Sequence, residues 1–278
     1  MFRYTRWTAV REVSLWVVAL VYLLPFYFLI AISLKPDDEV FSTSRLAPPT
    51  SPTIQNFVDV LSATGQSNVL LGLLNSAIIT AGSILAMVLL GSLTGYVISR
   101  STRRWSRGAY LLFLIAIVLP TQLGTVPLYI GARSIGLTGS VWGMIILYSG
   151  MLLPLAIFLY AGFFRGLGTE YEEAASIDGA TRTQIFFRVV LPLMSPATGT
   201  VAILAGLIVW NDFFTSLIFL GGSTSQTLPV AMYYYIGSLV SQWNQIFAIV
   251  IISMIPILAF YLFAQKRFIQ GFAGGLKG

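Results

Sequence analysis

VLLGLLNSAIITAGSILAMVLLGSLTGYVISR occupies residues 69–100, and Arg100 is its first charged residue. A helix rises about 1.5 Å per residue, so about 20 apolar residues suffice to cross a bilayer's hydrocarbon core. The span expected within it, Val69–Ile98, exceeds that length with no acid or base inside it and closes at Arg100. Its glycines, Gly72, Gly82, Gly91 and Gly95, are expected to let another helix approach closely.

Five further stretches meet the same test on either side. The first covers Val13–Leu34 and closes at Lys35-Pro36. The third covers Ala109–Ile130, the fourth Val141–Phe164 with Arg165 behind it, the fifth Ala197–Leu220, and the sixth Ile246–Ala264 before Lys266-Arg267. Leu228–Val240 is apolar but short and is expected to be interfacial or re-entrant. The fold expected is therefore all-α, with about six transmembrane helices in one membrane domain over residues 1–278.

Composition agrees. The 278 residues are 56% hydrophobic and 9% charged, against roughly 25% charged in a soluble domain. Mean hydropathy is +0.84. With no Cys and no His, thiol redox chemistry, disulfides, Cys/His zinc sites and His-based acid–base catalysis are excluded. The first apolar run is too long for a cleavable signal peptide, and no small-x-small site follows it. The net charge of +6 is explained by orientation in the membrane rather than by nucleic acid.

Thirteen of the sixteen Lys and Arg residues fall on one side of these spans. They are Arg3, Arg6 and Arg11, then Arg100, Arg103, Arg104 and Arg107, then Arg165, Arg182 and Arg188, then Lys266, Arg267 and Lys277. Lys35, Arg45 and Arg133 fall on the other. Basic residues favour the cytoplasm, so both termini are expected there, with Lys35–Ser67 as an external loop.

The cytoplasmic loop over residues 165–196 is patterned. Thr169 with Glu172 reads as a capping box that opens a helix, and Thr181 with Gln184 reads as a second. Between them Gly179 permits a sharp turn. Ile185, Phe186, Val189 and Val190 recur at helical spacing, and Leu191-Pro192 is expected to end the second helix. Two short helices at a glycine elbow follow, the first kept thin by Ala174 and Ala175.

Glu173-Ala174-Ala175, Gly179, Val189 and Leu191-Pro192, at this spacing, resemble the EAA loop of ABC importer permeases, with Val189 where isoleucine is usual. Trp210-Asn211-Asp212 resembles the Trp-Asn-Asp signature of carbohydrate permeases. The tail from Gln265 to Gly278 is similar to that of MalG-type subunits. The resemblance implies a type I ABC importer permease fold and a coupling helix docked in a cleft of a separate ATPase. Its docking residues would be Glu172, Glu173, Ala174, Ala175, Asp178 and Gly179, with the two glutamates meeting basic groups of the ATPase. It also implies a second homologous permease in a heterodimer, two ATPase subunits, an extracytoplasmic solute-binding protein and a carbohydrate cargo. No cofactor is expected on this chain, which lacks a G-x-x-x-x-G-K-[ST] loop; ATP and Mg would sit on the ATPase.

Asp212 is the one acidic residue inside an expected span, where a carboxylate normally faces protein or water. Two readings stand: with Asn211 it hydrogen-bonds sugar hydroxyls, or it bonds a neighbouring helix. Pro120, Gln122 and Pro127 interrupt the third span, and Gln122, Asn75 and Tyr233 are further candidates for the solute pathway. A polyol or glycerol phosphate is an alternative cargo. An ion-coupled secondary transporter would show more intramembrane carboxylates and repeated halves. No nucleophile–base or metal constellation points to an enzyme.

Overall fold

The computed structural model describes residues 6–236 and 242–275, without the side chains of Arg6, Phe263, Ala264 and residues 266–275. Every regular element among the described residues is helical. Four helices are long and apolar enough to cross a membrane unbroken: Trp7–Ser33, Val69–Arg100, Val141–Gly166 and Trp243–Leu262, the last being part of a helix that continues to Gly275. The number rises to six if two sharply bent helix pairs each count as one span.

The third expected span is one of those pairs. Its first helix, Arg104–Val118, ends at Leu119, whose backbone turns extended. The cause is Pro120, which disfavours helical geometry in the residue before it. A 3₁₀ turn, Thr121–Gly124, follows, and the helix resumes over Thr125–Ser134 at 93° to the first segment. Pro127 lies in the first turn of that helix, where a missing N–H does no harm. The fifth expected span also differs from a straight Ala197–Leu220 rod. Its helix runs Ser195–Asn211, Asp212 is extended, and a short helix covers Phe214–Leu220.

Two compact units divide the chain. One comprises residues 1–70 and 231–255. Here the first span ends in a hydrogen-bonded knot. The last carbonyls of a helix lack intrahelical donors; Asn56 Nδ2 donates to the Ser33 and Lys35 carbonyls, each at 2.8 Å. Asn244 Nδ2 donates to Asn56 Oδ1 at 2.8 Å and to Asp37 Oδ1 at 2.6 Å. The Lys35 ammonium is buried and donates to Thr43 Oγ1 and the Ser44 carbonyl. Glu39 accepts the Thr50 N–H at 2.7 Å.

The other unit comprises residues 71–230 and 256–278. Its Val69–Arg100 helix meets Val141–Gly166 through glycines. A Cβ on Gly91 would stand 2.8 Å from Ala156 Cβ, and one on Gly95 would stand 2.8 Å from Tyr160 Cβ. Gly82 faces Ile145 in the same way. Residues 237–241, the first four of them inside the expected re-entrant stretch, and residues 276–278, at the end of the tail motif, lie outside the described residues; Leu228–Tyr233 is a short helix.

Candidate functional site: the patterned loop and a polar cavity

The loop after Gly166 folds as two helical segments around an elbow. Glu170–Ile177 is the first, with three acidic residues in its first turn, at the positive end of the helix dipole. The expected Thr169–Glu172 capping box is not formed: Thr169 Oγ1 donates to Glu173 Oε1 at 2.8 Å and caps no backbone N–H. Glu172 is engaged elsewhere. Gly179 has φ +80°, the left-handed conformation that glycine takes without strain. The second box is present, with Thr181 and Gln184 each accepting the other's backbone N–H.

Beyond the elbow the chain stays helical through Leu193 and does not stop at Leu191-Pro192. Residues Ile185–Val190 form a π-helical turn. Pro192 accounts for it, because proline has no N–H for the preceding turn and its ring crowds the carbonyl four residues back. The axis then bends by 71° between Arg182–Leu193 and Ser195–Asn211. Ile185, Phe186 and Val190 are buried in a core with Met87, Tyr160, Phe164 and Val201. The second half of the loop is thus welded to the membrane helices.

The first half presents two faces. Ala175 packs on that core and Glu172 turns inward, whereas Glu170, Glu173, Ala174 and Asp178 are exposed. Ile177, an isoleucine 87% exposed, stands at the tip beside the elbow. Glu172 Oε1 accepts from Arg100 Nε at 2.8 Å, and Oε2 accepts from the Tyr96 hydroxyl at 2.7 Å. Within this chain the cation that Glu172 meets is Arg100. Glu173 stays on the outward face.

The remaining candidates divide. Gln122, Asn211 and Asp212 line one cavity of about 320 Å³, together with Thr121, Thr125, Tyr148 and Thr215. Gln122 comes from the break in the third span and Asn211-Asp212 from the break in the fifth. Asp212 Oδ2 accepts from the Tyr148 hydroxyl at 3.0 Å, and Oδ1 accepts the Thr215 N–H at 3.1 Å. The bond to a neighbouring helix thus exists, and the carboxylate still borders the cavity. Asn211 Nδ2 donates to the Leu207 carbonyl of its own helix. Tyr148, which also shares a hydrogen with Ser216 Oγ, had no motif to announce it. Asn75 is apart from the cavity and donates to the Gln226 carbonyl at 2.9 Å. Tyr233 belongs to the first unit, half-exposed beside the Tyr234 ring. Among the described residues no group of three or more His, Cys, Asp or Glu could hold a metal ion.

Residues 87–274 match the family of binding-protein-dependent transport system inner membrane components. The chain belongs to that family. It is a membrane permease subunit of an ABC importer, a class that works with ATPase and solute-binding partners, and it is not itself an enzyme. The probable starch degradation products transport permease AmyC of Thermoanaerobacterium thermosulfurigenes is 32% identical, with 93% of each chain covered. The melibiose/raffinose/stachyose import permease MelC of Bacillus subtilis is 31% identical, with 94% of each covered. Among solved structures, a chain of a bacterial ABC transporter involved in import of the acidic polysaccharide alginate superposes with a TM-score of 0.83 at 22% identity, covering 96% of this permease and 100% of that chain. The fold of the permease is that of an ABC importer permease of type I.

Proposed function

We propose that this permease carries a neutral mono- or oligosaccharide inward. One observation carries the reading. Where two broken spans meet, the cavity offers amide, hydroxyl and aromatic groups from Gln122, Asn211, Tyr148, Thr215 and Phe214 and no Lys or Arg. Sugars take hydrogen bonds and ring faces, while a phosphate needs cations. The cavity's size is at the lower end of small-molecule sites. Two relatives named for starch products and for melibiose, raffinose and stachyose support the same cargo class. Glycerol phosphate is disfavoured by the missing cations, and ion coupling by the single carboxylate.

In this reading the Glu170–Ile177 helix is the coupling helix. Its outward face, with Glu173, Ala174, Asp178 and Ile177, docks in a cleft of the ATPase, which holds ATP and Mg; Gly179 sets its angle. A second, homologous permease completes the pathway, and the solute-binding protein delivers cargo from outside. Both termini lie in the cytoplasm. The first span, with only 6% of its most apolar window buried within this chain, has ample surface for that second permease.

Reconstitution of the permease with its partner permease, ATPase and binding protein in liposomes tests the cargo. Radiolabelled raffinose and maltotriose are supplied outside and ATP inside. ATP-dependent accumulation of either sugar is expected. Accumulation of glycerol 3-phosphate instead of both, or sugar entry without ATP hydrolysis, would overturn the reading.

A further inference from the structure

We propose that Arg100 is the positioning residue that clasps the coupling helix to the ends of two membrane spans, so that the helix moves with the membrane body instead of swinging on it. The inference rests on the docking role given above to the Glu170–Ile177 helix. Arg100 is the last residue of Val69–Arg100. Its guanidinium reaches three acceptors at once: Nε donates to Glu172 Oε1 at 2.8 Å, Nη1 to the Phe164 carbonyl at 3.0 Å, and Nη2 to the Leu167 carbonyl at 2.9 Å. The side chains are 19% and 16% exposed for Arg100 and Glu172, so water competes little for these bonds.

Each acceptor comes from a part that must move together. The Phe164 and Leu167 carbonyls lie at the end of Val141–Gly166, past the regular helical ladder, where the Leu167 N–H reaches the Phe164 carbonyl only at 3.3 Å and the helix dipole favours a cation. Glu172 lies in the first turn of the coupling helix. Tyr96 stands four residues before Arg100, hence on the same helix face. Its hydroxyl takes the second Glu172 oxygen, and its ring lies 5.5 Å from Phe164 and 5.2 Å from Phe186. A planar guanidinium with five donors can join three acceptors, which a lysine ammonium at the end of a flexible stem cannot do in this arrangement. The elbow holds the other end of the helix through the Gly179 N–H to the Ser176 carbonyl and the Ala180 N–H to the Ala175 carbonyl, so the clasp fixes the end that the elbow does not reach.

The chain has no cysteine, so spin labels can be placed at Ser176→Cys on the coupling helix and Leu90→Cys on the second span. Distances are read by double electron–electron resonance in the full transporter in nanodiscs, without nucleotide and with a non-hydrolysable ATP analogue. One narrow label-to-label distance, unchanged by nucleotide, is expected for the wild-type background. R100Q should lose that single distance and spread or shift when the analogue is added, and R100K should fall between. E172Q added to R100Q should change little more, since the Arg100 link is already lost and the glutamine keeps an oxygen for the Tyr96 hydroxyl. Copurification of the ATPase and an unaltered control distance between Leu90→Cys and Leu207→Cys verify that the variants fold and assemble. A distribution in R100Q as narrow and nucleotide-independent as in the parent overturns the clasp. Ile177→Asp separates the two claims. If it releases the ATPase while R100Q leaves the distance intact, docking stands and the clasp falls. If it leaves the ATPase bound, the docking reading itself fails, and the clasp's part in coupling with it.

Discussion

Glu39 illustrates how a single carboxylate organises the segment after the first span. It is buried, and the Thr50 N–H above all, helped by the Ser51 N–H and the Lys35 ammonium, holds its carboxyl below the ordinary 4.5 despite the burial that pushes the other way. The folded segment therefore binds fewer protons at Glu39 than the unfolded one. The stabilisation is complete above the ordinary value and is withdrawn as pH falls through the depressed one. Hydrogen exchange of the Thr50 and Ser51 amides, corrected for intrinsic rates, should show constant protection from about pH 7 to about pH 5 and progressive loss in more acidic buffer. E39Q should lower the protection at neutral pH and flatten its pH profile. A wild-type profile that stays flat down to about pH 3 would show that the carboxylate does not hold this turn. Arg100 and Glu172 make the complementary point about sequence reading. They lie 72 residues apart, so nothing local could pair them, whereas the Thr181–Gln184 box spans three residues and was plain from spacing alone.

Helix pairing rests on small residues. Between lipid-solvated helices no hydrophobic driving force remains, and close van der Waals packing decides association. Gly91 and Gly95 each leave no space for a Cβ against Ala156 and Tyr160. Gly95→Leu should therefore separate Val69–Arg100 from Val141–Gly166 and cost about 1–3 kcal/mol, the usual range for overpacking. Gly108→Leu, where a Cβ meets nothing within 4 Å, is the matched control. Thermal unfolding of the purified transporter in detergent should show a lower midpoint for the first variant and little change for the second; equal midpoints would mean the glycines are not packing contacts. Long apolar runs made the spans legible, because membrane crossing is nearly a property of composition. The break at Leu119 was legible in part, since Pro120 marks it. The break at Asp212 was not: it depends on a carboxylate held by Tyr148 from another helix and by the Thr215 N–H. The cavity formed where both breaks meet was therefore visible only as scattered polar residues.

The sidedness proposed for the whole molecule rests on where its bases lie, and the docking role of the loop depends on it. In that proposal thirteen Lys and Arg on one side against three on the other put residues 165–196 in the cytoplasm and Lys35–Ser67 outside. The Arg165 guanidinium, 4.2 Å from the centre of the Tyr110 ring, adds a cation–π contact to the second turn of Arg104–Val118. Because the chain has no cysteine, one introduced thiol is the only site on it that a maleimide labels. Ser51→Cys and Ser176→Cys both replace exposed side chains, and the hydrogen bonds recorded at these residues are made by their backbone groups. In intact cells, a membrane-impermeant maleimide should label Ser51→Cys and spare Ser176→Cys; in inverted vesicles the pattern should reverse. Coexpressed ATPase should further slow labelling of Ser176→Cys in the vesicles, since the exposed face of Glu170–Ile177 would then be covered. Labelling of Ser176→Cys from outside intact cells would put the loop out of reach of any cytoplasmic ATPase, and no arrangement of Arg100, Glu172 and Gly179 could then transmit a stroke.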